Sequence, residues 1–183
     1  MKKILFYFLL ALLPLATMSC NSATANGGKC HITGSISTRW NGIKIFLVPL
    51  EGPQDAAHVD SVVIKDGKFE FTKDSTALEI IRVDYHYRDG IQELLVCTEP
   101  GEVKVHIGEN STTAGTPQND SLQVFKDLMI GGNNAFFGMR RQGASEADLK
   151  AFQQTFQAKL KAFAARQPEG VFGDYLKKMF PTK

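Results

Sequence analysis

Residues 58–71 read HVDSVVIKDGKFEF, and this stretch decides the fold class. Apolar and polar residues alternate on both sides of Asp66-Gly67, which is the period of a half-buried β-strand. An Asp-Gly pair between two alternating segments indicates a hairpin, because both central residues of a type I′ turn take positive φ. The stretch therefore predicts that residues 58–64 pair with residues 68–71 as antiparallel strands.

The same alternation recurs in other short segments between residues 30 and 107. These segments are bounded by Gly, Pro or Asx-Gly pairs, and no helical pattern separates them. They cover residues 30–36, 43–48, 78–85, 91–97 and 103–107. Seven short strands in a row predict that residues 29–115 form an antiparallel β-sandwich rather than a parallel α/β sheet.

The apolar period becomes helical from residue 116 onward. Thr116 can cap a helix, Pro117 suits its first turn, and we expect Gly131-Gly132 to end it. A second helix follows Ser145-Glu146-Ala147-Asp148, which resembles a capping box with Asp in place of Glu. A shorter third helix is indicated near the C-terminus. The predicted fold is therefore mainly β, with an α-helical C-terminal segment of two or three helices at residues 116–183.

The second helix carries an aromatic stripe at spacings of three and four residues. The stripe is the candidate partner or core surface of the chain. It contains Phe152, Phe156, Leu160 and Phe163, with Leu149 ahead of them. Two interpretations stay open: the stripe packs into a core, or it contacts a protein partner, which includes a second copy of the chain.

The N-terminus carries a targeting segment. Met1-Lys2-Lys3 is basic, and an apolar run of 13 residues follows from Ile4 to Ala16. This run is shorter than the roughly 20 residues that span a membrane, so it predicts a signal peptide. Ser19-Cys20, a Cys preceded by a small residue just past this run, resembles a bacterial lipobox, which implies lipidation of Cys20. The alternative is ordinary secretory cleavage after Ala23-Thr24-Ala25, which has the A-x-A form.

The lipobox resemblance sets the expected boundaries and address. It implies a lipoprotein signal peptide at residues 1–19 and a polar tether at residues 20–28. We expect a lipid-anchored protein of the cell envelope, in the outer membrane and facing the periplasm, because no acidic run follows Cys20. Without residues 1–19 the chain has 19 basic and 19 acidic residues. The chain therefore lacks the excess of positive charge that is typical of proteins that bind nucleic acid.

Candidate catalytic and metal-binding residues are sparse. Cys30 and Cys97 form no C-x-x-C pair, so dithiol redox chemistry has no site; buried free thiols and an interstrand disulfide both stay open. The four His residues show no metal-ligand spacing. They are His31, His58, His86 and His106. We expect no catalytic residue, no metal and no cofactor.

Two further sets of side chains are candidate binding sites. Asp55, His58 and Asp60 lie close in sequence, but a solvated loop explains them better than a metal site. Trp40, Tyr85 and Tyr87 offer a platform for stacking a sugar, although aromatic residues at strand ends usually belong to the core or its rim.

Four stretches resemble a known family. They are KIFLVPLEG at 44–52, VDSVVIKDGKFEFT at 59–72, EPGEVKVHI at 99–107 and GTPQNDSLQVFKD at 115–127. Together they resemble the domain of unknown function 4369 of Bacteroidetes lipoproteins, over about residues 29–130. In that family the domain commonly precedes a thioredoxin-like thiol–disulfide oxidoreductase domain. We expect no such domain here, because the chain reaches Lys183 without a C-x-x-C motif.

These observations predict a function class. We expect a non-catalytic, lipid-anchored envelope module that binds or scaffolds a partner, with its own lipid as the membrane contact. One alternative is an accessory or truncated paralogue of a periplasmic thiol–disulfide oxidoreductase. The other is a carbohydrate- or peptide-binding accessory lipoprotein.

Overall fold

A computed structural model describes residues 28–84 and 91–181. The strands are β1 (Cys30–Ile36), β2 (Lys44–Pro49), β3 (Asp60–Val63), β4 (Lys68–Lys73), β5 (Leu78–Val83), β6 (Leu94–Cys97), β7 (Gly101–Ile107) and β8 (Thr112–Ala114). The helices are α1 (Pro117–Arg141), α2 (Glu146–Ala165) and α3 (Val171–Met179). The predicted order of a β-domain followed by helices is confirmed. None of the helices in these two ranges is both long and apolar enough to cross a membrane.

The strands form two four-stranded sheets packed face to face. The first sheet has the order β4-β1-β7-β8, and the second has the order β3-β2-β5-β6. The prediction of purely antiparallel pairing is wrong for the first sheet, because β1 and β7 run parallel with Ile32 opposite Val103. The predicted count of seven misses β8, which is only three residues long and too short to show an alternating pattern.

The core lies between the two sheets and follows the predicted alternation. Residues at every second position of β1 and β7 are buried, and those between them are more exposed. Cys30, Ile32 and Ile36 share the inner face as expected. Gly34 on the same face leaves room for the ring of its cross-strand neighbour Phe69, since a Cβ at Gly34 would lie 2.0 Å from Phe69 Cζ.

The Asp66-Gly67 turn forms, and the flanking Lys65 and Lys68 exchange backbone hydrogen bonds at 3.0 and 2.8 Å, but the predicted strand pairing does not continue beyond them. Asp66 and Gly67 have φ values of 51° and 67°, as a type I′ turn requires. However, β3 pairs with β2 in the second sheet, whereas β4 pairs with β1 in the first. The pairing between the two strands stops because Ile64 is fully buried. The N–H of Ile64 donates instead to Ile43 O, at 3.0 Å. The turn therefore carries the chain from one sheet to the other.

A second apolar cluster joins the helices to the outer face of the second sheet. Leu122 of α1, Ala164 of α2, and Phe172 and Leu176 of α3 form its buried centre. Leu78 and Leu95 from β5 and β6, Phe125 and Phe163 from α1 and α2, and Tyr175 and Phe180 pack around it. Burial of these side chains is what holds all three helices onto the sandwich.

The predicted end of the first helix at Gly131-Gly132 is wrong. Helix α1 passes through both glycines and runs for 25 residues in all, from Pro117 to Arg141. Gly132 lets α1 approach α2 closely, since a Cβ at this position would lie 2.1 Å from Phe156 Cζ of α2. The predicted cap of α2 is confirmed, because Ser145 Oγ accepts a hydrogen bond from Asp148 N at 3.2 Å and donates one to Asp148 Oδ2 at 2.7 Å.

The long helix connects the two ends of the sandwich. At the end where β1 begins, which we call the proximal end, Gln118 N donates to Glu99 Oε1 at 2.6 Å. At the opposite, distal end, Lys126 Nζ donates to Asn110 Oδ1 at 3.2 Å and to Ser111 O. The 15 residues from Asp127 to Arg141 extend about 22 Å further. Together with the returning α2 they form a two-helix projection, residues 127–161, which we call the arm.

Candidate functional site

The polar residues of the 115–127 stretch hold α1 against the edges of both sheets. Asn119 is fully buried: its Oδ1 accepts from Cys97 N at 3.0 Å, and its Nδ2 donates to Cys97 O at 2.7 Å. Asn119 Oδ1 also accepts from Thr113 Oγ1 at 3.1 Å, and Gln123 Oε1 accepts from Thr113 N at 3.0 Å. Cys97 and Thr113 lie on edge strands, so these side chains occupy the position of a further strand.

A second set of bonds joins the starts of α1 and α3. The carboxylate of Glu99 accepts from Gln118 N at 2.6 Å and from Gln118 Nε2 at 3.1 Å. A carboxylate beside the first N–H groups of a helix is favoured by the helix dipole. Gln118 Oε1 in turn accepts from Phe172 N at 2.9 Å. These bonds place α3 at the proximal end of the sandwich.

The environment of the two described thiols disfavours the thiolate. Cys30 and Cys97 are free and buried. Burial, followed by the nearby Glu99 carboxylate, raises the pKa of each thiol to about 12. A redox-active cysteine needs a stabilised thiolate, and these two have the opposite environment. The sequence left open free thiols or an interstrand disulfide, and the structure has the free thiols.

A buried carboxyl group lies inside the sandwich near the proximal end. Glu79 of β5 is 3% exposed, and its Oε1 lies 3.3 Å from Lys73 Nζ of the other sheet. Lys73 also lies 2.8 Å from Asp60 Oδ2. Burial raises the pKa of Glu79, and the attraction of Lys73 offsets only part of that effect. Glu79 Oε2 has no hydrogen-bond partner within the protein.

A cleft of about 420 Å³ lies between α3 and the proximal loops of the second sheet. Its walls are mostly apolar and include Leu50, Leu78, Val171 and Tyr175. An exposed ion pair crosses its rim, with Lys178 Nζ 3.3 Å from Glu51 Oε1. An apolar cleft with a few polar groups at its rim suits a small ligand or a peptide side chain.

The predicted stripe divides between the second apolar cluster and the arm. Leu160 is buried, and Phe163 packs with its ring centroid 5.8 Å from that of Phe125. Phe156 stacks on Phe152 at 6.0 Å, and Phe152 lies 6.3 Å from Phe136 of α1. Leu160 and Phe163 therefore lie inside the helical segment, whereas Phe152 and Phe156 are half-buried and line grooves of the arm. The exposed aromatic side chain of the arm is Phe137, at 51%.

The arm has two sides of opposite charge balance. On one side, a groove of about 530 Å³ is lined by Phe136, Arg140, Glu146, Leu149, Lys150 and Gln153. It adjoins a second groove of about 510 Å³ that shares Lys150 and Gln153 and includes Lys161. On the other side, grooves of about 560 and 340 Å³ carry Asp148, Asp127 and Lys159.

Three of the four histidines lie in the described ranges, and each has its own polar contact. His31 contacts Thr72, and His106 contacts Ser35 Oγ through Nδ1 at 3.0 Å on the exposed face of the first sheet. His58 Nδ1 pairs with Asp55 at 2.6 Å in an exposed loop. In the part of the chain that the structure describes, no group of three His, Cys, Asp or Glu side chains is placed to hold a metal ion.

Several residues singled out from the sequence lie outside the described ranges. They are Cys20, Tyr85, His86 and Tyr87. Trp40, the third member of the proposed sugar platform, is half-buried, packs against the sandwich core and has Arg39 5.0 Å above its ring. Its contacts are those of a rim residue.

Sequence reasoning missed the buried Glu79, the cleft beside α3 and the basic side of the arm. Glu79 gave a usable signal, because it occupies an inward position of an alternating strand together with Ile81 and Val83. The cleft and the arm arise only when helices that are distant in sequence pack together, and no local pattern indicates either of them.

Comparison with known proteins agrees with the resemblance of the four stretches. A family model described as "Domain of unknown function (DUF4369)" matches residues 30–122, which is half of the chain. The match runs from the first residue of β1 to Leu122, the α1 residue at the centre of the second apolar cluster. No curated protein and no solved structure matches the chain. The chain belongs to the DUF4369 family.

Proposed function

We propose that this protein is a non-catalytic, lipid-anchored module of the cell envelope whose arm binds a partner protein. The arm is the observation that carries the proposal. It extends beyond the sandwich, carries the exposed Phe137 and has grooves along both sides. Two antiparallel helices can bury only the faces they turn to each other, so a third element is the usual cover for what remains.

The polar groups of the family stretches support a non-catalytic role. Asn119, Gln118 and Glu99 are engaged in hydrogen bonds that hold helices to strands. The thiols of Cys30 and Cys97 have pKa values of about 12, which leaves them protonated near neutral pH. The alternative of a redox accessory would therefore need its partner to supply the reactive thiols.

The anchor part of the proposal rests on the sequence of residues 1–20. A lipidated Cys20 would tie the protein to the outer membrane, with its folded part in the periplasm. Several acyl chains, at about 0.8 kcal/mol per buried CH₂, give stable attachment.

The cleft beside α3 favours a second candidate function. Its volume of about 420 Å³ and its apolar walls fit the accessory role in which a peptide side chain or small ligand binds at the proximal end. Ala77→Trp would fill the cleft and abolish such binding without touching the arm.

Site-specific photo-crosslinking in intact cells tests the arm. A benzoylphenylalanine at position 137 is expected to give a discrete adduct larger than the monomer. The matched control is position 70, which is exposed on β4 of the first sheet. Equal yields at both positions, or no adduct at 137, would rule out the arm as the binding surface.

A further inference from the structure

We infer that the side of the arm containing Arg140, Lys150 and Lys161 binds an acidic segment of the partner protein that inserts an apolar side chain. This inference rests on the proposed function and adds the chemistry of the partner. It begins from the two adjoining grooves, which share Lys150 and Gln153 and therefore form one continuous surface across α1 and α2. We call this surface the basic face.

The charges of the basic face are unbalanced. Arg140, Lys150 and Lys161 are exposed there with Glu146 as the one lining carboxylate, and the other lining residues are three glutamines and three apolar residues. The opposite side of the arm has two lining carboxylates, Asp127 and Asp148, against the single cation Lys159. The chain from Cys20 onward is neutral overall, so the excess of cations on the basic face does not reflect a basic chain. A cationic surface recognises a partner of opposite charge.

The floor of the basic face provides the apolar part of the site. Phe136 and Leu149 line the groove, and Leu149 is 6% exposed although it lies in the first turns of α2. Phe137 follows Phe136 and lies edge-on to it, with ring centroids 5.7 Å apart. An apolar floor with a charged rim is how helical grooves take up an amphipathic segment.

The position of the arm favours a protein partner over the membrane surface as the occupant of the basic face. Lys29, the second described residue, bonds through its carbonyl to Gly101 N at 3.0 Å and through its Nζ to Asp74 at 3.1 Å. The anchor therefore joins the fold at the proximal end, and the arm begins at the distal end. Residues 20–27 span at most about 28 Å when fully extended. An anchor at Cys20 would thus attach the end of the sandwich opposite the basic face.

The test uses the purified mature chain and two fluorescent 18-residue peptides with the same leucine positions. One peptide carries Glu at its polar positions and the other carries Lys. We expect the Glu peptide to bind about tenfold more tightly than the Lys peptide, with affinity falling as salt rises. Equal affinities for the two peptides would overturn the inference.

Two lysines of α2 provide matched variants. Lys150→Glu changes the basic face and is expected to weaken binding of the Glu peptide about tenfold. Lys159→Glu makes the same change on the opposite side and should leave the affinity within about twofold. If both variants bind as the wild type does, the basic face is not the site.

Crosslinking at position 137 separates this inference from the proposed function. If the adduct forms in cells and is lost in Lys150→Glu but kept in Lys159→Glu, both stand. If the adduct persists in both variants, the arm binds a partner but not through charge, and the inference fails alone. Two other occupants are outcomes that overturn it: an adduct of twice the monomer mass indicates a second copy, and binding to phosphatidylglycerol vesicles in place of the Glu peptide indicates a lipid surface.

Discussion

The side-chain amide of Asn119 pairs with both backbone polar groups of Cys97, at 3.0 Å to its N–H and 2.7 Å to its carbonyl oxygen. Cys97 closes an edge strand of the second sheet, where such groups otherwise face solvent or another chain. One residue of α1 therefore completes the edge of the sheet and fixes where the helix starts.

Asn119→Leu is expected to destabilise the protein by about 3 kcal/mol. The substitution leaves the buried N–H and C=O of Cys97 without partners, at about 1–3 kcal/mol for each group. Urea unfolding of the variant and of the wild type measures the difference. Asn133→Leu, at an exposed position of the same helix, should change stability by less than about 0.5 kcal/mol. A loss below 1 kcal/mol for Asn119→Leu would show that solvent replaces the amide at this edge.

Adjacent glycines in α1 should respond in opposite directions to alanine. A Cβ at Gly132 meets the Phe156 ring at 2.1 Å, whereas a Cβ at Gly131 meets nothing within 4 Å. Gly131→Ala is expected to stabilise the protein by up to about 1 kcal/mol through helix propensity. Gly132→Ala is expected to destabilise it by about 1–3 kcal/mol because the helices must separate. Thermal melts that shift in the same direction for both variants would contradict the described packing of the arm.

The fold class was predictable from the sequence because it depends on local periods. Strand alternation placed Ile32 and Ile36 on one face, and the Asp66-Gly67 turn has the predicted conformation. The sheet to which each strand belongs was not predictable in this way. It depends on Ile64 entering the core and ending the ladder, which is a tertiary effect.

The helix boundary at Gly131-Gly132 failed for a related reason. Glycine ends a helix when it takes a left-handed conformation, and it also permits helices to approach closely. The sequence shows the residue but not the Phe156 ring that lies over Gly132. Asn119 likewise lies in a stretch that carries the family resemblance, yet its bonds to Cys97 join positions 22 residues apart.

The pH dependence of stability should report the burial of Glu79. Its folded-state pKa is raised above the ordinary value of 4.5 by burial, so the folded protein holds this proton more tightly than the unfolded chain does. The stabilisation from protonation is complete below pH 4.5 and is lost as pH rises through the raised pKa. The stability of the wild type relative to Glu79→Gln should therefore fall as pH rises from 4.5 through the raised pKa. A difference that is constant over this range would place the carboxyl group in solvent.

The native thiols should resist alkylation. Cys30 and Cys97 are at most 1% exposed, and their pKa values of about 12 leave almost no thiolate at pH 8. We expect iodoacetamide to modify neither residue in the folded chain and both residues in urea, as measured by mass spectrometry. Rapid modification of folded protein, or insulin reduction that disappears in Cys97→Ala, would overturn the non-redox assignment.

The intact mass of the protein extracted from washed membranes tests the central claim of a lipid-anchored module most directly. The account predicts a chain that begins at Cys20 and carries a diacylglyceryl thioether and an N-acyl group, and it predicts that Cys20→Ala releases the protein or leaves it uncleaved. An unmodified chain beginning at Asn26, recovered in the soluble fraction, would contradict the account.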